Sequence, residues 1–129
     1  MQTIINSKNA PAAIGPYVQA IALGNLVITS GQLPIDPKRG DFPLDIQEQT
    51  RRSLENISSI LIEAGLSVKD IVKTTVFVKD LSQFSLINET YQQFFDEFAE
   101  GKYPARSCVE VARLPKDAGI EIEAIALRP

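Results

Sequence analysis

Residues 70–80 read "DIVKTTVFVKD", and their alternation decides how the rest of the chain is assembled. Successive side chains of an extended backbone point to opposite faces. Val72, Thr74, Val76 and Val78 are thus predicted on one side, with Lys73, Thr75, Phe77 and Lys79 on the other. So many β-branched residues suit a pleated strand. The segment is read as a strand, and the sequence on both flanks has helical period.

On the N-terminal flank, Asp45 opens a helix with Glu48 three residues later in the capping-box position. Ile46, Thr50, Leu54, Ile57, Leu61 and Ala64 recur at intervals of three or four, and Gly65 supplies the stop. This predicts about five turns with a single apolar face. On the other flank a second helix is predicted from about Ser82 to Ala99. Phe84, Ile87, Tyr91, Phe94, Phe95 and Phe98 form its apolar face, and Gly101 ends it.

Further out, apolar runs at 17–23 and 26–30 flank Gly24-Asn25, a strong hairpin signal, and a loop through "PIDPKRGDFP" follows. After the second helix, Tyr103-Pro104 favours an extended entry into "ARSCVEVARL", read as a strand. In "GIEIEAIALRP", Ile120 and Ile122 alternate with Glu121 and Glu123 as the last strand. The predicted order, ββ-α-β-α-ββ, defines an α+β fold with two helices stacked on one sheet face. Two helices shield only one side of a sheet, yet Val76, Val78, Val109, Val111, Ile125 and Leu127 suggest apolar groups on both. Self-association is the expected remedy.

At 129 residues and 14.2 kDa the chain fits one domain, residues 1–129, with a core that needs no disulfide or structural metal. Its one cysteine cannot form an internal bridge, which suits a reducing compartment. A net charge of -3 provides no general field for nucleic acid, and Lys38-Arg39 and Arg51-Arg52 are too short to make a basic patch. "MQTIINSKNAP" lacks the pattern of a signal peptide, and no stretch approaches the roughly 18 apolar residues that span a bilayer. A soluble, cytoplasmic protein with no membrane or nucleic-acid partner is expected.

Histidine is absent. That excludes a Ser-His-Asp triad, a Cys-His pair and the common histidine-based zinc sites within one subunit. Proton transfer near neutral pH falls to a carboxyl, thiol, phenol, amine or water.

The chemistry-bearing residues concentrate in "YPARSCVEVAR" (103–113), where Arg106 and Cys108 share a strand face. A guanidinium on a mostly apolar strand must meet an anion. Either Glu110 or Glu121 supplies it internally, or a ligand carboxylate does so through two parallel hydrogen bonds. Cys108 is either a small buried hydrophobe or a nucleophile activated by its arginine neighbour, without a histidine as base. Glu121 and Glu123 share a face and could divide acid and base roles, or simply be solvated. Tyr17, after Gly15-Pro16, and Ser30-Gly31 at a strand end offer a phenol, a hydroxyl and backbone N–H groups.

Taken together, "APAAIGPYVQA" (10–20), "TSGQLP" (29–34), "DIVKTTVFVKDL" (70–81) and "YPARSCVEVARLPKDAGIEIEAIA" (103–126) closely resemble the RidA/YjgF family of reactive intermediate deaminases, nearly end to end. The resemblance implies a chorismate-mutase-like α+β fold. It also implies a homotrimer whose three sheets form a central barrel, with active clefts between subunits. The implied reaction is hydrolysis of 2-aminoacrylate or 2-aminocrotonate, as their imine tautomers, to pyruvate or 2-oxobutanoate plus ammonia. These enamines arise when pyridoxal-phosphate enzymes dehydrate serine or threonine. No metal or organic cofactor is implied.

Residue by residue, Arg106 matches the arginine that clamps the substrate carboxylate, and Ser30 with Gly31 matches the loop lining the site. Tyr17 matches the aromatic wall, Cys108 the pocket cysteine, Glu121 the acid that handles water, and Asn88 an asparagine near the cleft. The chain departs from the family pattern in "FAEGKYP" and "DPKRGDFP", both loop variations. Two other readings stay open at this level: a non-catalytic sensor of 2-oxo acids or carboxylates using the same cleft, and an RNA-directed role, against which the acidic balance argues.

Overall fold

The computed structural model describes residues 2–129. Its strands are β1 (Gln2–Ile5), β2 (Ala20–Leu23), β3 (Leu26–Thr29), β4 (Ile71–Val78), β5 (Ala105–Glu110) and β6 (Ile120–Leu127); the helices are α1 (Ile46–Glu63) and α2 (Phe84–Ala99). The strands form one mixed sheet in the order β1-β2-β3-β6-β4-β5. Neighbours run antiparallel except β4 and β5, which α2 joins as a parallel crossover. This is the α+β class expected from the predicted order of elements.

The start of α1 is set by Asp45, whose carboxylate accepts from the Glu48 N–H at 2.9 Å, and its end by Gly65 at φ +80°. All six residues predicted for its apolar face are buried. They meet Ile87, Phe94 and Phe95 of α2 and the buried side of β4 and β6, including Val76, Val78, Ile120 and Ile122. Polar residues on the same helix are buried as well, because they tie loops down. Asn56 Nδ2 donates to the carbonyls of Leu33 and Ile35 (3.0 and 2.9 Å), and Gln49 joins the Pro43 carbonyl to the Gly119 N–H.

Local pattern and structure part company at several points. β1 is an edge strand that the sequence reading did not identify, and β2 begins at Ala20, not residue 17. A register irregularity between Ile71 and Lys73 turns Val72 outward to 39% exposure and buries Ile71 in its place. A 3₁₀ turn, Leu81–Gln83, precedes α2. Phe98, assigned to the buried face of α2, is exposed and lies against Phe94 at 4.8 Å between ring centroids. β5 stops at Glu110, four residues short of Leu114 where the strand read from "ARSCVEVARL" ends.

Both helices lie on the side of Val76 and Val78. The opposite side of the sheet is uncovered, and register places Ile28 beside Ile125, and Phe77 between Glu121 and Val109. Ile28, Val109 and Leu127 are each at least 40% exposed there. An apolar sheet face left in water is a surface for association.

Candidate functional site

Register sorts the candidate residues before any side chain is considered. Arg106 pairs with Thr74 and Cys108 with Val76, both buried on the helix side, so Arg106 and Cys108 face α2. Glu121 pairs with Phe77 on the uncovered side. Arg106 and Glu121 therefore stand on opposite faces of the same sheet.

The helix-side group is Arg106, Asn88 and Cys108. Arg106 Nη1 donates to Asn88 Oδ1 at 2.7 Å, and the guanidinium carbon lies 4.8 Å from the Tyr91 ring centroid and 5.3 Å from that of Phe84. The internal salt bridge to Glu110 or Glu121 does not form. Glu110 accepts from the Leu81 N–H at 2.8 Å, Glu121 lies across the sheet, and Arg106 is in none of the ion pairs among the described residues. The cation is half-buried among neutral partners, and most of its donors meet no partner among the described residues. Burial pushes the Cys108 thiol above its ordinary pKa, against a smaller opposing pull from Arg106, so it stays protonated near neutral pH and is a poor nucleophile.

The second group is Tyr17, Ser30, Gly31 and Glu121. The Ser30 N–H donates to Gln19 O at 2.8 Å and its hydroxyl to Val18 O at 2.6 Å, which draws the Tyr17 segment against the end of β3. With its proton committed to Val18, the Ser30 oxygen faces its surroundings as an acceptor. Reciprocal backbone bonds between Gln32 and Ile122 hold Gly31 over Glu121. A Cβ on Gly31 would stand 2.9 Å from Glu121 Cδ, so glycine is what leaves room for the carboxyl. Burial first, and the like charge of Glu123 second, push the Glu121 carboxyl above the ordinary glutamic acid range.

Some contributors were not legible as site residues. Gln19, 2% exposed, accepts from the Ser7 N–H and donates to the carbonyls of Ser7, Ala10 and Pro11, anchoring the loop that leads to Tyr17. A lone glutamine before a strand gives no local signal of that network. The variant loop "DPKRGDFP" lines a cavity of about 400 Å³ with Glu48, Arg51, Arg52 and Glu55 of α1, and none of the candidate residues borders it. Among the described residues, no three His, Cys, Asp or Glu side chains gather as a metal-ion ligand set, and no helix is long and apolar enough to cross a membrane.

Sheet order, helix placement and the two groups of candidate residues put the chain in the class of small α+β proteins with two helices backing one face of a mixed sheet. Residues 7–128 match the family described as Endoribonuclease L-PSP, and the chain belongs to that family, the RidA/YjgF group of the sequence resemblance. It is 61% identical over 128 residues to the 2-iminobutanoate/2-iminopropanoate deaminase of Escherichia coli K12, covering 99% of each protein. A RutC family protein of Haemophilus influenzae is 62% identical, with 99% of this chain and 98% of that protein covered. Among solved structures, E. coli TdcF with bound serine superposes with a TM-score of 0.96 at 58% identity, covering 98% of this chain and 99% of that one. The E. coli YjgF gene product gives the same TM-score and coverage at 60% identity.

Proposed function

We propose that this chain is a 2-iminobutanoate/2-iminopropanoate deaminase, hydrolysing the reactive enamine/imine products of serine and threonine dehydration to 2-oxo acids and ammonia. It acts as one domain per copy, assembled as a homotrimer in the cytoplasm. The observation that carries the reading is Arg106, a half-buried guanidinium held by an amide and two aromatic rings with no carboxylate among the described residues to neutralise it. The E. coli relative, matched over nearly the whole of both chains, supports the same activity.

Because Arg106 and Glu121 occupy opposite sheet faces, one copy does not bring them to one substrate. The proposed site is composite: Arg106, Asn88 and Cys108 of one copy face Tyr17, Ser30, Gly31 and Glu121 of the next. Association through the uncovered sheet face would also remove Ile28, Val109 and Leu127 from water.

Arg106 fixes the substrate carboxylate, aided by the backbone near Gly31. A protonated imine is already electrophilic at carbon, so water adds to the C=N carbon, the C–N bond breaks, and ammonia leaves as the C=O forms. Glu121 orients the water and relays its proton toward the departing nitrogen, a task suited to a carboxyl that keeps its proton closer to neutrality than usual. Tyr17 and the Cys108 backbone bound the reacting end. No protein nucleophile takes part.

The test is release of 2-oxo acid in a coupled serine or threonine dehydratase assay containing semicarbazide as scavenger. Acceleration by catalytic amounts of the protein supports the enzyme; saturable binding without acceleration indicates a carboxylate sensor. Cys108→Ala is expected to leave kcat/KM within about threefold of wild type, since the thiol acts as wall. Loss comparable to that of Arg106→Ala would require a covalent role. Gly31→Ala is expected to lower kcat at least roughly tenfold by displacing the Glu121 carboxyl, with the melting temperature nearly unchanged because a flexible side-chain end gives way.

A further inference from the structure

An arginine meant to receive a carboxylate poses a positioning problem, because the usual way to hold a guanidinium still is another carboxylate, which would also neutralise it. Here the problem is solved with rings. Tyr91 is 5% exposed, and its hydroxyl meets Thr74 Oγ1 at 2.7 Å; Thr74 is fully buried in the middle of β4. That bond ties the α2 ring to the strand directly beside β5, in register with Arg106 itself. The guanidinium carbon lies 4.8 Å from the ring centroid, and Phe84, seven residues earlier on α2, presents a second ring at 5.3 Å.

We propose that Tyr91, fixed by Thr74 and assisted by Phe84, is a positioning residue that orients Arg106 for a 2-imino or 2-oxo carboxylate while leaving its positive charge free. The inference rests on the proposed role of Arg106. A ring attracts a cation through its quadrupole but carries no net charge, so it restricts the guanidinium without competing for the ligand. Burial also raises the Tyr91 phenol above its ordinary pKa, which keeps it neutral where a phenolate would cancel Arg106.

The experiment compares Tyr91→Leu, Tyr91→Phe and Phe84→Leu in the assembled protein. It measures KM and kcat for the imine, the Kd for 2-oxobutanoate and for its uncharged amide, and the melting temperature. Tyr91→Leu is expected to raise KM and the 2-oxobutanoate Kd roughly three- to thirty-fold while the amide Kd changes little. Tyr91→Phe loses the tether to Thr74 and some thermal stability but keeps the ring, and is expected to recover most of the carboxylate affinity. Equal weakening of both ligands, or losses that follow melting temperature regardless of the ring, would overturn the proposal. If Tyr91→Leu does not fold, Phe84→Leu at the half-buried position decides, with carboxylate-selective weakening expected and wild-type affinity contradicting it. Full activity in Arg106→Ala would instead overturn the reading of Arg106 itself.

Discussion

Replacing Arg106 with alanine is expected to lower kcat/KM for imine hydrolysis by roughly 100-fold or more. Removing one partner of a desolvated, hydrogen-bonded charge pair costs about 2–5 kcal/mol. The fold should tolerate the change. Arg106 forms no ion pair among the described residues, so its loss strands no carboxylate, and Asn88 is only half-buried. Activity should collapse while the melting temperature moves by a few degrees at most, a separation that steady-state kinetics and calorimetry read directly. Arg106→Lys restores the charge without the planar fork and is expected to recover only part of the activity.

Glu121→Gln is the second large effect, with an expected fall in kcat of about 100-fold and little change in KM. Proton transfer by a positioned side chain contributes about 10²–10⁴-fold, and glutamine keeps the shape while losing the titrating proton. Its effect on stability has the opposite sign. The folded carboxyl has its pKa raised above 4.5 by burial and by Glu123, so between that value and the raised one the folded state binds more protons than the unfolded. Stability falls as pH rises through that window, and the ionised group destabilises the fold above it. Glu121→Gln removes that penalty, so the variant should melt no lower than wild type at pH 7 and lose the stability difference on acidification below pH 4.5. Melting curves across this range check the sign.

Much of the architecture could be read locally because local signals specified it. Asp45 and Gly65 bracket α1 by satisfying or ending its backbone, and the face between them is buried as the period requires. Gly24-Asn25 turns between β2 and β3 as the hairpin signal demands. The failures belong to tertiary structure. Four residues of β1 become a strand by pairing with β2, and the slip at Val72 depends on how β4 registers against β6. Arg106, Cys108, Glu121, Tyr17 and Ser30-Gly31 stand out by residue type and placement, whereas Asn88 and the roles come from the resemblance, and the separation onto two sheet faces lies in neither. Both glutamates considered as partners for Arg106 look available along the sequence. Only the order β6-β4-β5 and its register put Glu121 on the other face, while Glu110, on the same side as Arg106, is engaged by Leu81. Likewise the Tyr91–Thr74 pair joins residues seventeen apart, and the helical period shows only that Tyr91 is buried.

The composite site is most directly tested by mixing two inactive variants. Arg106→Ala chains keep Glu121, and Glu121→Gln chains keep Arg106. In a mixed assembly of the proposed trimer, one of the three junctions would join an intact Arg106 to an intact Glu121. Random assembly from equal amounts places about three quarters of trimers in that state, so dissociation and reassembly should restore about a quarter of wild-type activity. Recovery to that level, against residual activity in each variant assembled alone, is the predicted result. Mixed trimers no more active than their parents would contradict the account, because no site would then combine Arg106 of one copy with Glu121 of another.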